Sequence, residues 1–476
     1  MRVASDISFV RFVYPFVFKE GQPLGEIARR MAGQGWSRSS FPEGDLLPHV
    51  RDYLNPDPPS ESEATAYLLT LSREKLTEKA QRLLLSPSSK DSPDAGASAL
   101  WTMQLDNRAL PFQLDEAQLV IFRGGVAMLT LEVRLNSDSH NDWLDFIYHF
   151  RFYAGKAGAK QDASAPTIEY SGHTFTGIKP LIDALLQPYT AEERENLFMH
   201  NMMLPFSALY LDGEVDDLKK RQLLYRIRLC FASWHDLHPP ESELSLSHLH
   251  LLEYARDLWF TFAQQAAGFV AFNAPGDAAG FFRGDLPQRL RNRYFLLYQL
   301  ALHQKFTLIY LSNGVSRGWL GGDEQKRRQI FVRMRDHLLE FTARGYFAQV
   351  MHQEQHHRYY CRWREVLQLE MLYQEVSNEV REMYEYLEMR LEEQRTEQSE
   401  QLNRVVLWLT RITVFFALPS IVVSVLGTNV SSIGQWDRRW GGGLWWLVVV
   451  GVSAILSLLI VIFVDRQGRR KSTDSF

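Results

Sequence analysis

Apolar and polar residues alternate in the N-terminal half of the chain, the two-residue period of strands. Leu129, Leu131, Val133 and Leu135 alternate with Thr130, Glu132 and Arg134. With Leu119–Phe122 and the turn Arg123-Gly124-Gly125, this predicts a β-hairpin with one buried and one wet face. Gly213–Cys230 and Pro287–Leu311 have helical spacing instead. Asn55–Glu63 and Ser86–Ser98, rich in Pro, Ser and Asp, are expected to be linkers or loops. The expected architecture up to 287 is a mixed α+β domain.

From Tyr346 to Leu418 there is neither glycine nor proline, so one long helix is expected. Leu369, Tyr373, Val376, Val380, Met383, Leu387 and Leu391 repeat at the spacing of a bundle or coiled-coil seam. The seam turns polar at Gln394 and Gln398 before Leu402, which suits a wet, funnel-like bundle near a membrane. The ordinary alternative is an antiparallel pair completed by the helix expected at Gln329–Phe341.

The pattern then becomes continuously apolar. Leu444–Val464 reads LWWLVVVGVSAILSLLIVIFV, 21 residues without a charge, enough to cross a bilayer. Val405–Leu426 is of similar length but holds Arg411 and Pro419. Basic residues flank the pair at Arg404 and at Arg466, Arg469, Arg470 and Lys471, against Arg438 and Arg439 between the spans, partly offset by Asp437. This predicts cytoplasmic termini and a short external loop at Val430–Gly443, with Trp436, Trp440, Trp445 and Trp446 at the interface. The fold class is an α+β cytosolic domain (1–287), a helical region with a stalk helix (288–404), two transmembrane helices (405–464) and a basic tail (465–476).

Thr410, Thr413, Ala417, Ser420, Ser424 and Thr428 recur every three or four residues along the first span. Such a stripe either lets helices pack closely or lines a water-filled path between several copies of the span. Arg411 would be a basic constriction in such a path.

Composition narrows the chemistry. A net charge of −4 argues against a nucleic-acid-binding protein. Cys230 and Cys361 are the only cysteines, too few for a disulfide framework or a cysteine metal cluster. The N-terminus has no apolar leader, so the domain is expected to remain cytosolic. No phosphate-binding loop, dinucleotide fingerprint, zinc-protease or nucleophile-elbow motif occurs, so no enzyme and no bound cofactor are expected. His352 and His356, with His357 and Cys361 following, are weak metal-ligand candidates on one helical face; an exposed polar face is the ordinary reading. His235, His238, His248 and His250 around Pro239-Pro240 form a second group of this kind.

A long cytosolic helix running into the first of two C-terminal spans resembles the CorA family of metal-ion transporters, including its ZntB-like members. That family carries Gly-Met-Asn at the outer end of the first span, a Leu-Thr at its start and a proline within it. Here the matching residues are Leu409-Thr410, Pro419 and Gly427-Thr428-Asn429, with threonine in place of methionine. The resemblance implies a homopentamer in the inner membrane, first spans lining a pore, and Gly427, Thr428 and Asn429 forming its outer filter. It also implies a divalent cation, magnesium or another, as cargo or regulator. The external loop lacks an acidic cluster and carries Arg438 and Arg439, which leaves the ion open. Three functions follow: a cation channel or transporter; an effector pore gated by a cytosolic small-molecule or nucleotide ligand; and a non-conducting membrane-anchored sensor or scaffold. The aromatic stretch Arg291–Tyr298 would suit a ligand pocket or, more ordinarily, a core.

Overall fold

The computed structural model describes residues 1–18, 23–56, 65–84, 101–105, 108–154, 166–170, 173–199, 201–213, 215–235, 237–240, 249–272, 280–320, 324–427, 447–449, 451–460 and 462. The expected linkers lie largely outside these. In chain order the first elements are β1 (Arg2–Val3), β2 (Phe9–Phe18), α1 (Leu24–Gly33), β3 (Ser37–Ser39), α2 (Pro48–Leu54), β4 (Ala66–Ser72) and α3 (Arg73–Leu84). Next come β5 (Trp101–Leu105), β6 (Arg108–Phe122), β7 (Val126–Leu135), α4 (His140–Phe150), β8 (Thr167–Tyr170), β9 (His173–Thr176) and α5 (Lys179–Leu185). Then follow β10 (Arg194–Asn196), β11 (Leu204–Asp212), α6 (Asp217–Leu229), β12 (Leu251–Ala255), β13 (Leu258–Ala263) and β14 (Ala266–Phe272). The remainder is helical: α7 (Leu286–Arg289), α8 (Phe295–Leu320), α9 (Glu324–Arg344), α10 (Glu354–Val366) and α11 (Leu369–Gly427), with wide π turns at Phe281–Asp285 and Leu290–Tyr294.

The strands form one sheet whose main path runs β12-β13-β14-β11-β2-β7-β6-β5-β8-β9. Pairing is antiparallel except between β11 and β14. The expected hairpin is present, Val126 following the turn after Phe122 and Leu129 facing Leu119. Its expected wet face is not: Thr130 and Glu132 are buried along with the leucines.

The cause is a layer of helices on each side of the sheet. In β2 the side chains of Val10, Phe12, Tyr14 and Phe16 enter a core with α1, α4, α5 and α6, through Met31, Trp143, Phe146, Ile182 and Leu224. Phe9, Val13 and Val17 enter a second core with α2, α8 and α10, through Val50, Phe295, Leu302, Tyr359 and Trp363. A strand buried on both faces must be apolar throughout, as FVRFVYPFVF nearly is. Burying each large side chain contributes about 1.5–3 kcal/mol. Arg291–Tyr298 belongs to this second core, with Tyr294, Phe295, Leu296, Leu297 and Tyr298 almost fully covered.

Two compact units divide the chain, Met1–Glu382 and Met383–Phe476. Helix α6 starts at Asp216, whose carboxylate accepts the Lys219 N–H at 2.9 Å, and ends at Cys230 in the left-handed conformation. The first is an ordinary helix start and the second an ordinary helix stop.

Candidate functional site

The expected helix from Tyr346 onward is interrupted. Residues 346–353 form an extended strap, α10 follows, and Gln368 (φ 55°) ends it in the left-handed conformation. The N–H groups of Leu367 and Gln368 bond to the carbonyls of Trp363 and Glu365, and α11 starts anew at Leu369. A non-glycine residue in this conformation costs on the order of 1 kcal/mol, and the buried ends of α10 and α11 offset it, since Val366, Leu367 and Leu369 all lie in the second core.

The strap is fixed on several sides. Gln304 Nε2 donates to the carbonyl of Gly345 at 3.1 Å, and the Tyr360 hydroxyl donates to the carbonyl of Phe347 at 3.1 Å. Leu46 pairs with Met351, and the His352 N–H reaches the Asp45 carbonyl at 3.1 Å. Tyr346 stacks on Tyr373 of α11, rings 4.5 Å apart.

Helix α11 runs 59 residues without a break, through Pro419 to Gly427. Its seam is buried at Leu369, Val376, Val380, Met383 and Leu387. From Glu392 to Thr410 every residue is exposed, including Gln394 and Gln398. Of the apolar residues that follow, Val405, Val406, Leu407, Trp408, Leu409, Phe416 and Ile421 are exposed and between them occupy every face of the helix, while Ile412, Val414, Phe415 and Ala417 are half-covered.

Within this stretch Thr410, Thr413 and Ser420 donate their hydroxyl hydrogens to the carbonyls of Val406, Leu409 and Phe416 at 2.8, 2.9 and 2.7 Å. These hydroxyls are satisfied inside the helix, and each keeps acceptor capacity on its outer side. At about 100° per residue, Thr410, Thr413, Ala417, Ser420 and Ser424 occupy about 80° of arc, a single face. Arg411 falls about 140° from the centre of that arc. One straight helix therefore presents either the stripe or Arg411 to a given axis.

Gly427 closes the helix, while Thr428, Asn429 and the expected external loop lie outside the described residues. Of the second expected span, residues 447–449 and 451–460 are helical. It is not uniformly exposed. Ser453 and Ser457 are buried, with the Ser457 hydroxyl on the Ser453 carbonyl at 2.9 Å, while Val452, Ile455, Leu456 and Leu459 are open. Among the described residues no helix is long and apolar enough to cross a membrane.

The histidine candidates separate. His352 precedes the N-cap Gln353 and is exposed, whereas His356 is inside α10 and fully buried, so the two do not share a helical face. His356 lies against the Tyr294 ring at 5.0 Å, its Nδ1 3.9 Å from Asp45 Oδ2. Burial pushes its pKa down to about 4 against the pull of Asp45, whose carboxylate is already paired with Arg293 at 2.7 Å. His357 faces Cys361 Sγ at 3.4 Å. In the other group His235 Nδ1 accepts the Ala232 N–H at 3.1 Å, Gln222 Nε2 meets His238 Nδ1 at 2.9 Å, and His250 Nδ1 meets the Phe262 carbonyl at 3.0 Å. His248 lies outside the described residues. Among the described residues no group of three or more His, Cys, Asp or Glu side chains is placed to hold a metal ion.

An apolar helix bare on every side is unstable in water, so these geometries define a protein whose C-terminal helices require an apolar surrounding, lipid or protein. The family is more specific. Residues 327–469 match the family described as CorA-like Mg2+ transporter protein. The matched region takes in most of α9, all of α10 and α11, and the residues beyond. No curated protein and no solved structure matches the chain.

Proposed function

We propose that the protein is a CorA-type channel or transporter for a divalent cation. In this reading Val405–Leu426 and Leu444–Val464 cross the membrane, and the first span lines the path. The observation that carries the reading is the family match over 327–469 together with a helix, α11, that continues unbroken from a buried seam into a bare apolar segment. The exposed apolar side chains of α11 face lipid or neighbouring copies, as a helix in a bilayer requires. Several copies, five by analogy with the family, place the stripe of Thr410, Thr413, Ala417, Ser420 and Ser424 around an axis. The hydroxyls that bond back to their own helix leave acceptor oxygens for the water around a passing ion. Arg411 then sits away from the lumen, between adjacent helices.

Gly427, Thr428 and Asn429 form the outer filter in this reading. Neutral carbonyl and hydroxyl oxygens recognise a hydrated ion through its water shell, which suits magnesium because it dehydrates reluctantly.

The test is flux in liposomes. The full chain is reconstituted and uptake of magnesium, zinc and chloride is measured with ion-sensitive dyes, alongside Asn429→Ala. Divalent uptake that Asn429→Ala reduces or makes less selective is the expected result. Divalent flux and selectivity unchanged by Asn429→Ala would sink the filter assignment. Absence of divalent flux from the wild type would sink the transport reading.

A further inference from the structure

We propose that the N-terminal unit holds a binding pocket for a small planar anion, an aromatic ring carrying a phosphate or carboxylate, between α2, the end of α9 and the strap. A cavity of about 530 Å3 lies here, bounded by His49, Asp52, Tyr53, Arg344, Tyr346 and Phe347 among others. That volume is in the range of pockets that take small organic ligands. It joins a narrow neck of about 20 Å3, with which it shares Tyr53, Thr65 and Arg344. The neck shares His337 and Glu340 with an open cleft of about 720 Å3 along α9.

The charge balance selects an anion. Among the described residues, each acidic group lining these cavities already has an arginine partner: Asp52 lies 3.5 Å from Arg51, Asp336 2.9 Å from Arg335, and Glu340 2.8 Å from Arg123. Other arginines on the same walls are not so paired. Arg328, Arg333 and Arg344, spaced along α9, have no acidic partner among the described residues, and all three are exposed. A row of uncompensated guanidinium groups leading to a pocket attracts negative charge along its length, and the last of them, Arg344, stands on the pocket wall.

The aromatic lining selects the ring. Phe347 meets Tyr53 edge-on at 5.3 Å and His49 at 5.9 Å, and Tyr346 completes the wall. Tyr53 and Phe347 back this wall from the core, and the exposed His49 ring in front of them offers the face on which a flat ring packs, with Arg344 beside it to take the anionic group in a bidentate fork. Hydrogen bonds hold the wall in place: Gln304 to Gly345, Tyr360 to Phe347, and Arg364 Nη1 to the Ala348 carbonyl at 3.4 Å. A fixed wall costs little to order when a ligand binds.

The test uses the full chain in nanodiscs of neutral lipid, titrated calorimetrically with 1-naphthyl phosphate. Inorganic phosphate and 1-naphthol serve as the half-ligands. Saturable binding of 1-naphthyl phosphate is expected, with each half-ligand at least tenfold weaker. Arg344→Gln should weaken it about tenfold or more, whereas Arg381→Gln, an equally exposed change on α11, should leave it unchanged. Arg344 is exposed, so its variant should keep the wild-type melting temperature, which is checked in the same samples. No saturable binding to the wild type, or equal binding by Arg344→Gln, overturns the proposal. Inorganic phosphate binding as tightly as the naphthyl ester overturns the ring assignment.

Discussion

Glu132→Gln tests the charged group that the sheet buries against the π turn at Leu290–Tyr294. Arg11, whose side chain is 3 % exposed, donates from Nε to Glu132 Oε2 at 2.7 Å, and from Nη1 to the Arg291 carbonyl at 2.8 Å. Arg291 Nε donates to the other carboxylate oxygen at 2.6 Å. Burial by itself would raise the Glu132 pKa, but the two guanidinium groups outweigh it and hold the carboxyl below its ordinary range. Glutamine keeps the shape and removes the charge, leaving Arg11 buried with only Glu116 nearby at 3.6 Å. Breaking a buried pair in this way costs about 3–5 kcal/mol. With Glu116 as a partial substitute, the lower end, about 3 kcal/mol, is expected. In a unit of 382 residues, with about 2.1 cal/mol/K of unfolding entropy per residue, each kcal/mol moves the melting temperature by roughly 1.2 °C, so the shift is about 4 °C. The assay is scanning fluorimetry of the full chain in detergent, followed from pH 7 down to about pH 2, below the ordinary carboxylate range. A carboxylate whose folded pKa is depressed contributes stability above its unfolded value, near 4.3, and loses it as pH falls through the folded value. The wild type should therefore lose more stability than Glu132→Gln on acidification, and the two curves should converge. A variant melting within about 1 °C of the wild type at pH 7 would refute the reasoning, because Arg11 would then be shown to need no partner.

Two further outcomes follow from close approaches in the same unit. At Gly124 (φ 118°) an added Cβ would lie 2.4 Å from His337 Nε2, whereas at Gly35 (φ 91°) it would meet nothing within 4 Å. Gly35→Ala should therefore cost only backbone strain, about 1–2 kcal/mol, while Gly124→Ala should melt several degrees lower still and recover part of that loss in combination with His337→Ala. His303 is buried between Phe122, stacked at 3.7 Å, and the Tyr53 hydroxyl at 3.2 Å, and burial pushes its pKa down to about 3. The unfolded chain binds this proton below about pH 6.5 and the folded chain does not, so stability falls as pH drops from 6.5 towards 3. By pH 5 the loss is about 2 kcal/mol, and His303→Phe should flatten the melting temperature between pH 7 and 5; an unchanged slope in the variant would contradict the assignment.

How far the sequence reveals this molecule depends on what surrounds each segment. The hairpin at Leu119–Leu135 was legible because its turn needs two glycines at positive φ and its strands alternate. Its second buried face was not, since Thr130 and Glu132 look like solvent positions until Arg11 and Arg291, far away in sequence, are brought to them. The break before α11 was hidden for a similar reason. Gln368 carries no signal of a left-handed residue, and only the burial of Leu367 and Leu369 on either side makes the turn favourable. The seam from Leu369 to Leu387 was visible, because its apolar spacing is the local record of a buried face. The pocket beside Arg344 had no sequence signature: its walls come from α2, α9 and the strap, and its charge follows from which arginines lack partners.

The segment from Val405 to Ile421 obeys a different rule, which is why its pattern could be read as two things at once. In a water-soluble domain an amphipathic stripe means that the apolar side is covered and the polar side is wet. Here most of the apolar side is uncovered as well, and the small hydroxyl side chains of Thr410, Thr413 and Ser420, though exposed, are satisfied by their own helix. Such a stripe has no need of water or of a partner to be stable in an apolar medium. It therefore permits insertion of a single copy into lipid. Assembly then decides whether the stripe is packed against a neighbour or turned towards a shared axis. In the other C-terminal helix Ser453 and Ser457 are covered, whereas Thr410, Thr413, Ser420 and Ser424 of α11 are exposed. That leaves the stripe of α11 as the uncommitted polar surface of the pair, and makes it the face on which the transport reading turns.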